Sequence, residues 1–155
     1  MNWTEVWAGD GNSSTAQDWA QSLGWCLTDL DPDNNPTIAL PSGGSLTLFR
    51  RQYGTQFEQA LTVAWKMRAR RATENSAVIE QALAAWTGYY KAAVGVLGSP
   101  EREPRVDAVG DTGPVALFKL ADISALFELR VNLASSMTEG THPGSASIRM
   151  LIYPA

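Results

Sequence analysis

Cysteine and histidine are almost missing from this chain of 155 residues: Cys26 and His142 each stand alone. One thiol excludes an intramolecular disulfide and leaves a cysteine-based zinc site without its second sulfur. A Cys–His nucleophile or a Ser–His–acid triad would have to use His142, no family signature surrounds either residue, and the pattern G-x-S-x-G is absent. Long apolar runs are missing too, since none approaches the ~18 residues that a membrane helix needs. Residues 1–10 hold acids but no Lys, no Arg and no apolar core, so they do not read as a secretory signal. Charged residues make up 18%, below the ~25% of an average globular protein. The net charge of −4 argues against a general nucleic-acid binder and admits a basic partner. No repeat or linker divides the chain, so its length reads as one domain. The cysteine usage fits the cytoplasm.

What is present is apolar periodicity. Residues 1–13 read as an N-terminal arm carrying Trp3 and Trp7, closed by the Gly9-Asp10-Gly11-Asn12-Ser13 break. Ser14 and Gln17 read as a capping box, and Ala16, Trp19, Ala20 and Leu23 fall on one helical face that Gly24 terminates. Residues 25–27 read as the entry to a strand. Thr37–Leu40 and Ser45–Arg51 form a hairpin around Pro41-Ser42-Gly43-Gly44. Phe57–Met67 fits both periods. The alternation of Phe57, Leu61, Val63, Trp65 and Met67 against Glu58, Thr62, Lys66 and Arg68, with Gln59 the exception, favours a strand. A long helix starts near Glu74, with Thr73 or Asn75 as cap. Its stripe runs through Val78, Ala82, Trp86, Tyr89, Ala93 and Leu97, and Gly98 and Pro100 end it. Gly88 and Gly95 on its thin face read as places of close packing. A short strand at Arg105–Val109 and alternating strands at Val115–Leu120, Leu126–Leu133 and Ser147–Tyr153 complete the chain. The expected fold is α+β: an antiparallel sheet of about five to six strands with two helices packed on it, in the order α-ββ-β-α-βββ.

Few constellations carry chemistry. Asp29-x-Asp31-x-Asp33-Asn34 resembles half a calcium loop, but the twelfth position is Leu40 where a bidentate Glu belongs. It reads as a solvated acidic loop able to face a basic partner, with no metal and no cofactor. Arg50-Arg51 and Arg68-x-Arg70-Arg71 are the basic clusters, placed at strand ends where a phosphate or acidic partner could meet them. Neither Gly9-x-Gly11 nor Gly43-Gly44 has the context of a phosphate loop. Trp19, Trp65 and Trp86 lie on core faces. Trp3 and Trp7 do not, so they are either interface anchors or the cover of the sheet. Cys26, between Trp25 and Leu27, reads as a small buried hydrophobe. His142, among Gly, Pro and Ser, reads as a solvated loop residue.

The segment Asp18-Trp19-Ala20-Gln21-Ser22-Leu23-Gly24-Trp25 resembles the helix-then-GW opening of immunity-type proteins found beside polymorphic toxins in actinobacteria. Val96-Leu97-Gly98-Ser99-Pro100 is similar to their helix-ending LGxP element, whereas the Trp expected soon after it is missing from Arg105-Val106-Asp107. The resemblance spans roughly Trp19 to Leu133 and supplies no catalytic residue. It implies a non-enzymatic cytoplasmic binder that occludes a cognate toxin. The alternatives from other classes are a structural subunit of a phage tail or similar ring within a virion, and a secretion chaperone. The residues expected to meet another protein are Trp3, Trp7, Asp29, Asp31, Asp33, Arg50, Arg51, Arg68, Arg70 and Arg71.

Overall fold

The computed structural model describes residues 2–30, 34–41, 43–50, 54–104, 112–137 and 140–155, with the backbone alone at 29, 112, 135–137 and 140–142. The chain runs through α1 (Trp3–Ala8), α2 (Ser13–Ser22), β1 (Cys26–Leu30), β2 (Pro36–Ala39), β3 (Ser45–Arg50) and β4 (Phe57–Ala69). A 3₁₀ turn, Ala72–Glu74, leads into α3 (Asn75–Leu97). The remaining elements are β5 (Thr112–Lys119), β6 (Ile123–Asn132), β7 (Ser135–Met137), β8 (Gly140–His142) and β9 (Gly144–Pro154). Seven strands form an antiparallel sheet in the order β1-β2-β3-β4-β9-β6-β5, and β7 and β8 form a separate hairpin. The fold is therefore α+β, with seven strands in its main sheet where the sequence indicates five to six. The possible strand at Arg105–Val109 lies outside the described residues. Packing groups the residues into two compact units.

The first unit comprises Met1–Thr62, Lys119–Ala125 and Leu151–Ala155. Residues 1–13, read as an arm, contain α1, whose Trp3 and Val6 are buried. A six-residue helix offers too few turns for a period to register. Gly9 and Gly11 do form a break, and the reason is close approach. The Gly11 amide donates to the Thr55 carbonyl, and a Cβ at Gly11 would sit 2.7 Å from that oxygen. Helix α2 is capped by Asn12, whose Oδ1 accepts the Thr15 N–H at 2.8 Å, and not by Ser14, which lies inside the helix. Its end follows the expected pattern: Gly24 has φ +71°, and the Gly24 and Trp25 amides turn back to Gln21 and Ala20 at 2.9 and 2.8 Å.

Strand β2 pairs β3 from Thr37↔Thr47 to Ala39↔Ser45, and the two threonine hydroxyls bond at 3.1 Å. The turn between them closes with the Gly43 amide on the Leu40 carbonyl at 3.0 Å, Gly43 taking φ +91°. Asp29 and Leu30 belong to β1, with Asp29 paired to Thr37, where the sequence reads as loop. Segment 57–67 is a strand. Its register holds an extra residue: Phe49 pairs Gln59 while Arg50 pairs Phe57. This bulge reverses the alternation, so Phe57 and Ala60 are both buried, and Phe57 does not share a face with Leu61.

The second unit comprises Val63–Phe118 and Leu126–Met150. Glu74 fastens the turn before α3 by accepting the Arg70 amide at 2.6 Å and the Arg71 amide at 3.3 Å. Helix α3 buries Val78, Ala82, Trp86 and Ala93. Trp86 stacks on Phe127 of β6 at 4.9 Å and on Tyr90 at 5.7 Å. Tyr89, placed on the inner stripe from sequence, is 39% exposed. Gly88 and Gly95 have open space where a Cβ would stand, so no close packing explains them. Gly98 ends the helix at φ +86° as its position predicts. Strand β6 alternates as expected: Phe127, Leu129 and Val131 are inside and Arg130 and Asn132 outside, while Leu133 lies past its end and is exposed. Glu128, on the outward parity, is nevertheless buried and accepts a charge-assisted bond from Arg149 Nε at 2.5 Å.

Asn75 is not a cap. Its amide acts as one more rung on the chain after β6: Nδ2 donates to the Ala134 carbonyl at 2.8 Å, and the Ala134 amide donates to Oδ1 at 3.0 Å. Asn75→Ala should cost about 1–3 kcal/mol, because it strands two backbone groups of buried Ala134. Denaturant midpoints measure that cost, and faster amide exchange at Ala134 would locate it. Trp86→Ala should cost more, about 3–5 kcal/mol, through the cavity left against Phe127.

Candidate partner-binding surface

Four of the six tryptophans meet in the first unit. Trp3 and Trp7 lie one helical turn apart and stack at 5.3 Å, Trp3 meets Trp19 at 5.5 Å, and Trp19 meets Trp25 edge-on at 5.9 Å. Trp3 is 7% exposed, so the structure uses it as cover for the core. Trp7 is half-buried, and its indole N–H is buried with no acceptor among the described residues.

Two depressions border this cluster, and a third lies elsewhere in the same unit. The first, about 260 Å³, lies where α1 and α2 approach β3 and the start of β4. Its floor is Val6, Ala16, Trp19, Leu48 and Phe57, all buried, and its rim carries the exposed carboxylates of Glu5 and Asp18. Thr15 and Ser22 complete the wall, and the Ser22 hydroxyl donates to the Trp19 carbonyl at 2.7 Å. Among the described residues no Lys or Arg lines it. The second, about 340 Å³, is almost wholly apolar, with Trp3, Trp25, Leu40, Leu46 and Ile152 around the single hydroxyl of Thr62. The third, also about 340 Å³, is polar and combines Asp10 and Asn12 with Arg50. Arg50 Nη2 donates to the Asn34 carbonyl at 3.2 Å.

The residues chosen from sequence separate. Arg50 belongs to the first unit, whereas Arg68, Arg70 and Arg71 are exposed in the second. Asp31, Asp33 and Arg51 lie outside the described residues, and Asp29 sits in β1. Cys26 is exposed on β1, an edge of the sheet, and not buried as read. His142 ends β8, paired with Ser135, where the sequence reads as loop. Among the described residues no group of three His, Cys, Asp or Glu stands ready to hold a metal, and no helix is long and apolar enough to cross a membrane.

Glu5 and Asp18 escaped the sequence reading, yet a signal for them exists. Every acid before Arg50 (Glu5, Asp10, Asp18, Asp29, Asp31 and Asp33) lies in a stretch with no Lys, Arg or His, and all 12 basic residues lie from Arg50 onward. Charge asymmetry of this kind is a sequence signal for a charged partner. No protein-family model, curated protein or solved structure matches the chain.

In the second unit, the Tyr90 hydroxyl donates to Glu103 Oε2 at 2.7 Å. Burial of the ring, then that bond and the negative charge of Glu103, push the Tyr90 pKa up from 10.0 to about 12. The neutral phenol is the form the fold holds. Whatever stability the bond adds is intact below pH 10 and is lost as pH climbs through about 12. An ultraviolet phenolate titration should show a step near pH 12, and Tyr90→Phe should abolish it. Separately, Trp7→Phe should leave the melting temperature unchanged or raise it, since it removes a buried donor without a partner, while Trp3→Ala should lower it by the equivalent of about 3–5 kcal/mol.

Proposed function

We propose that this chain is a non-enzymatic protein-binding domain that works as an immunity protein, masking a cognate toxin in the cytoplasm. The observation that carries the reading is the first depression of the first unit: an apolar floor under two exposed carboxylates, in the part of the chain that lacks basic residues. Apolar floor with charged rim is the usual anatomy of a protein interface. The likeness of residues 18–25 and 96–100 to actinobacterial immunity proteins supports the same class. Masking needs fast capture, and an acidic face accelerates encounter with a basic target such as a nuclease or another cation-rich toxin.

The test is protection. Co-expressed with a toxin encoded beside its gene, the chain should restore growth and form a stoichiometric complex with it. Association should slow several-fold between low and physiological salt, as steering by an acidic face requires. A chain that protects against no neighbouring toxin and assembles alone into rings, seen by light scattering, would replace this reading with that of a structural subunit.

A further inference from the structure

We infer that the depression floored by Trp19 and Phe57 takes a partner segment in which an aliphatic side chain is flanked by lysine or arginine. This rests on the protein-binding reading above and names what the partner presents there. The floor residues are 0–8% exposed and belong to the core of the first unit, so the surface is built before anything docks. An opening of about 260 Å³ admits one or two side chains, not a whole element of structure. An apolar floor alone would accept any hydrophobe. The rim supplies the discrimination: Glu5 and Asp18 stand at the mouth, and among the described residues neither meets a cation and no basic side chain lines the wall. A cation beside the inserted group gains two carboxylate acceptors there. An anionic segment meets repulsion with nothing to relieve it. Four further acids precede Arg50 with no basic residue among them, so this stretch of the chain is net negative and favours a cationic partner.

The experiment uses the full chain with its tryptophan indoles labelled for NMR, the Trp19 signal being assigned by its loss in Trp19→Phe. The probes are three blocked tripeptide amides: Lys-Leu-Lys, Glu-Leu-Glu and Lys-Gly-Lys. Lys-Leu-Lys should shift the Trp19 indole and bind about tenfold more tightly than Glu-Leu-Glu, and Lys-Gly-Lys should leave the signal in place. The exposed pair Glu5→Gln and Asp18→Asn should abolish the preference for the basic peptide. Ser22→Trp, at the mouth, should block binding with the other indole signals unmoved. If that variant misfolds, the rim pair decides the matter alone. Equal binding of the acidic peptide, or an unmoved Trp19 signal, overturns the inference. A toxin held with undiminished affinity by the rim variant sinks this site and leaves the masking reading standing. A basic peptide bound here by a chain that protects against no toxin does the reverse.

Discussion

The extra residue that β4 carries opposite Phe49 and Arg50 decides which of its side chains turn inward. A strand alternates faces with period two, so an inserted residue reverses every position beyond it. Without that insertion Phe57 and Ala60, three apart, could not share a face. With it they do: Phe57 lies 2% exposed and Ala60 is fully buried, on the same side as Leu46 and Leu48 of β3. The helices of the first unit then have a floor to rest on. Trp19 of α2 and Val6 of α1 join it as floor, and Trp3 stacks on Trp7 while meeting Trp19 at a tilt of 45°. The bulge therefore creates both the apolar floor and the shallow opening beside it.

That same insertion explains a hesitation in the sequence. Segment 57–67 fits a helix almost as well as a strand, since its apolar residues include pairs three and four apart. A bulged strand produces such spacings without being helical. The oddity of Gln59, which breaks the alternation beginning at Phe57, is the residue-level trace of the register shift. Long elements were legible for the opposite reason. In α3 the stripe from Val78 to Ala93 and the stop at Gly98 repeat one message over 23 residues, and tertiary context had little to override.

What escaped was whatever depends on distant partners. Helix α1 has a single apolar face of two residues, Trp3 and Val6, and is held by packing against α2 and not by its own periodicity. Asn75 reads as a cap because Asn often is one, and only the arrival of Ala134, 59 residues later, reveals it as a rung. β9 enters between β4 and β6, a placement that strand patterns do not encode because every strand alternates alike. Cys26 looks like core from its apolar neighbours, but as the first residue of an edge strand it faces outward. Of the site, the charge left a signal in the acid-only stretch before Arg50, whereas the cleft left none, since Glu5 and Asp18 come to one rim only after two helices fold onto one floor.

Placing carboxylates at the mouth of an apolar opening does more than scattering them over a surface. Exposed charges acting alone are screened within about 10 Å at moderate salt and contribute little to a finished complex. In the proposed complex, a cation drawn to this rim would bring its neighbouring aliphatic group to the floor, and water would leave the opening as that group entered. The surrounding dielectric then falls, and the contact with Glu5 and Asp18 strengthens as it forms. Steering and retention are thereby served by the same two side chains: as open charges they speed the encounter, and as the partly covered rim of a filled cleft they slow release. A binder of the proposed kind, which must reach its target before the target acts, would need both, and neither calls for a reacting group.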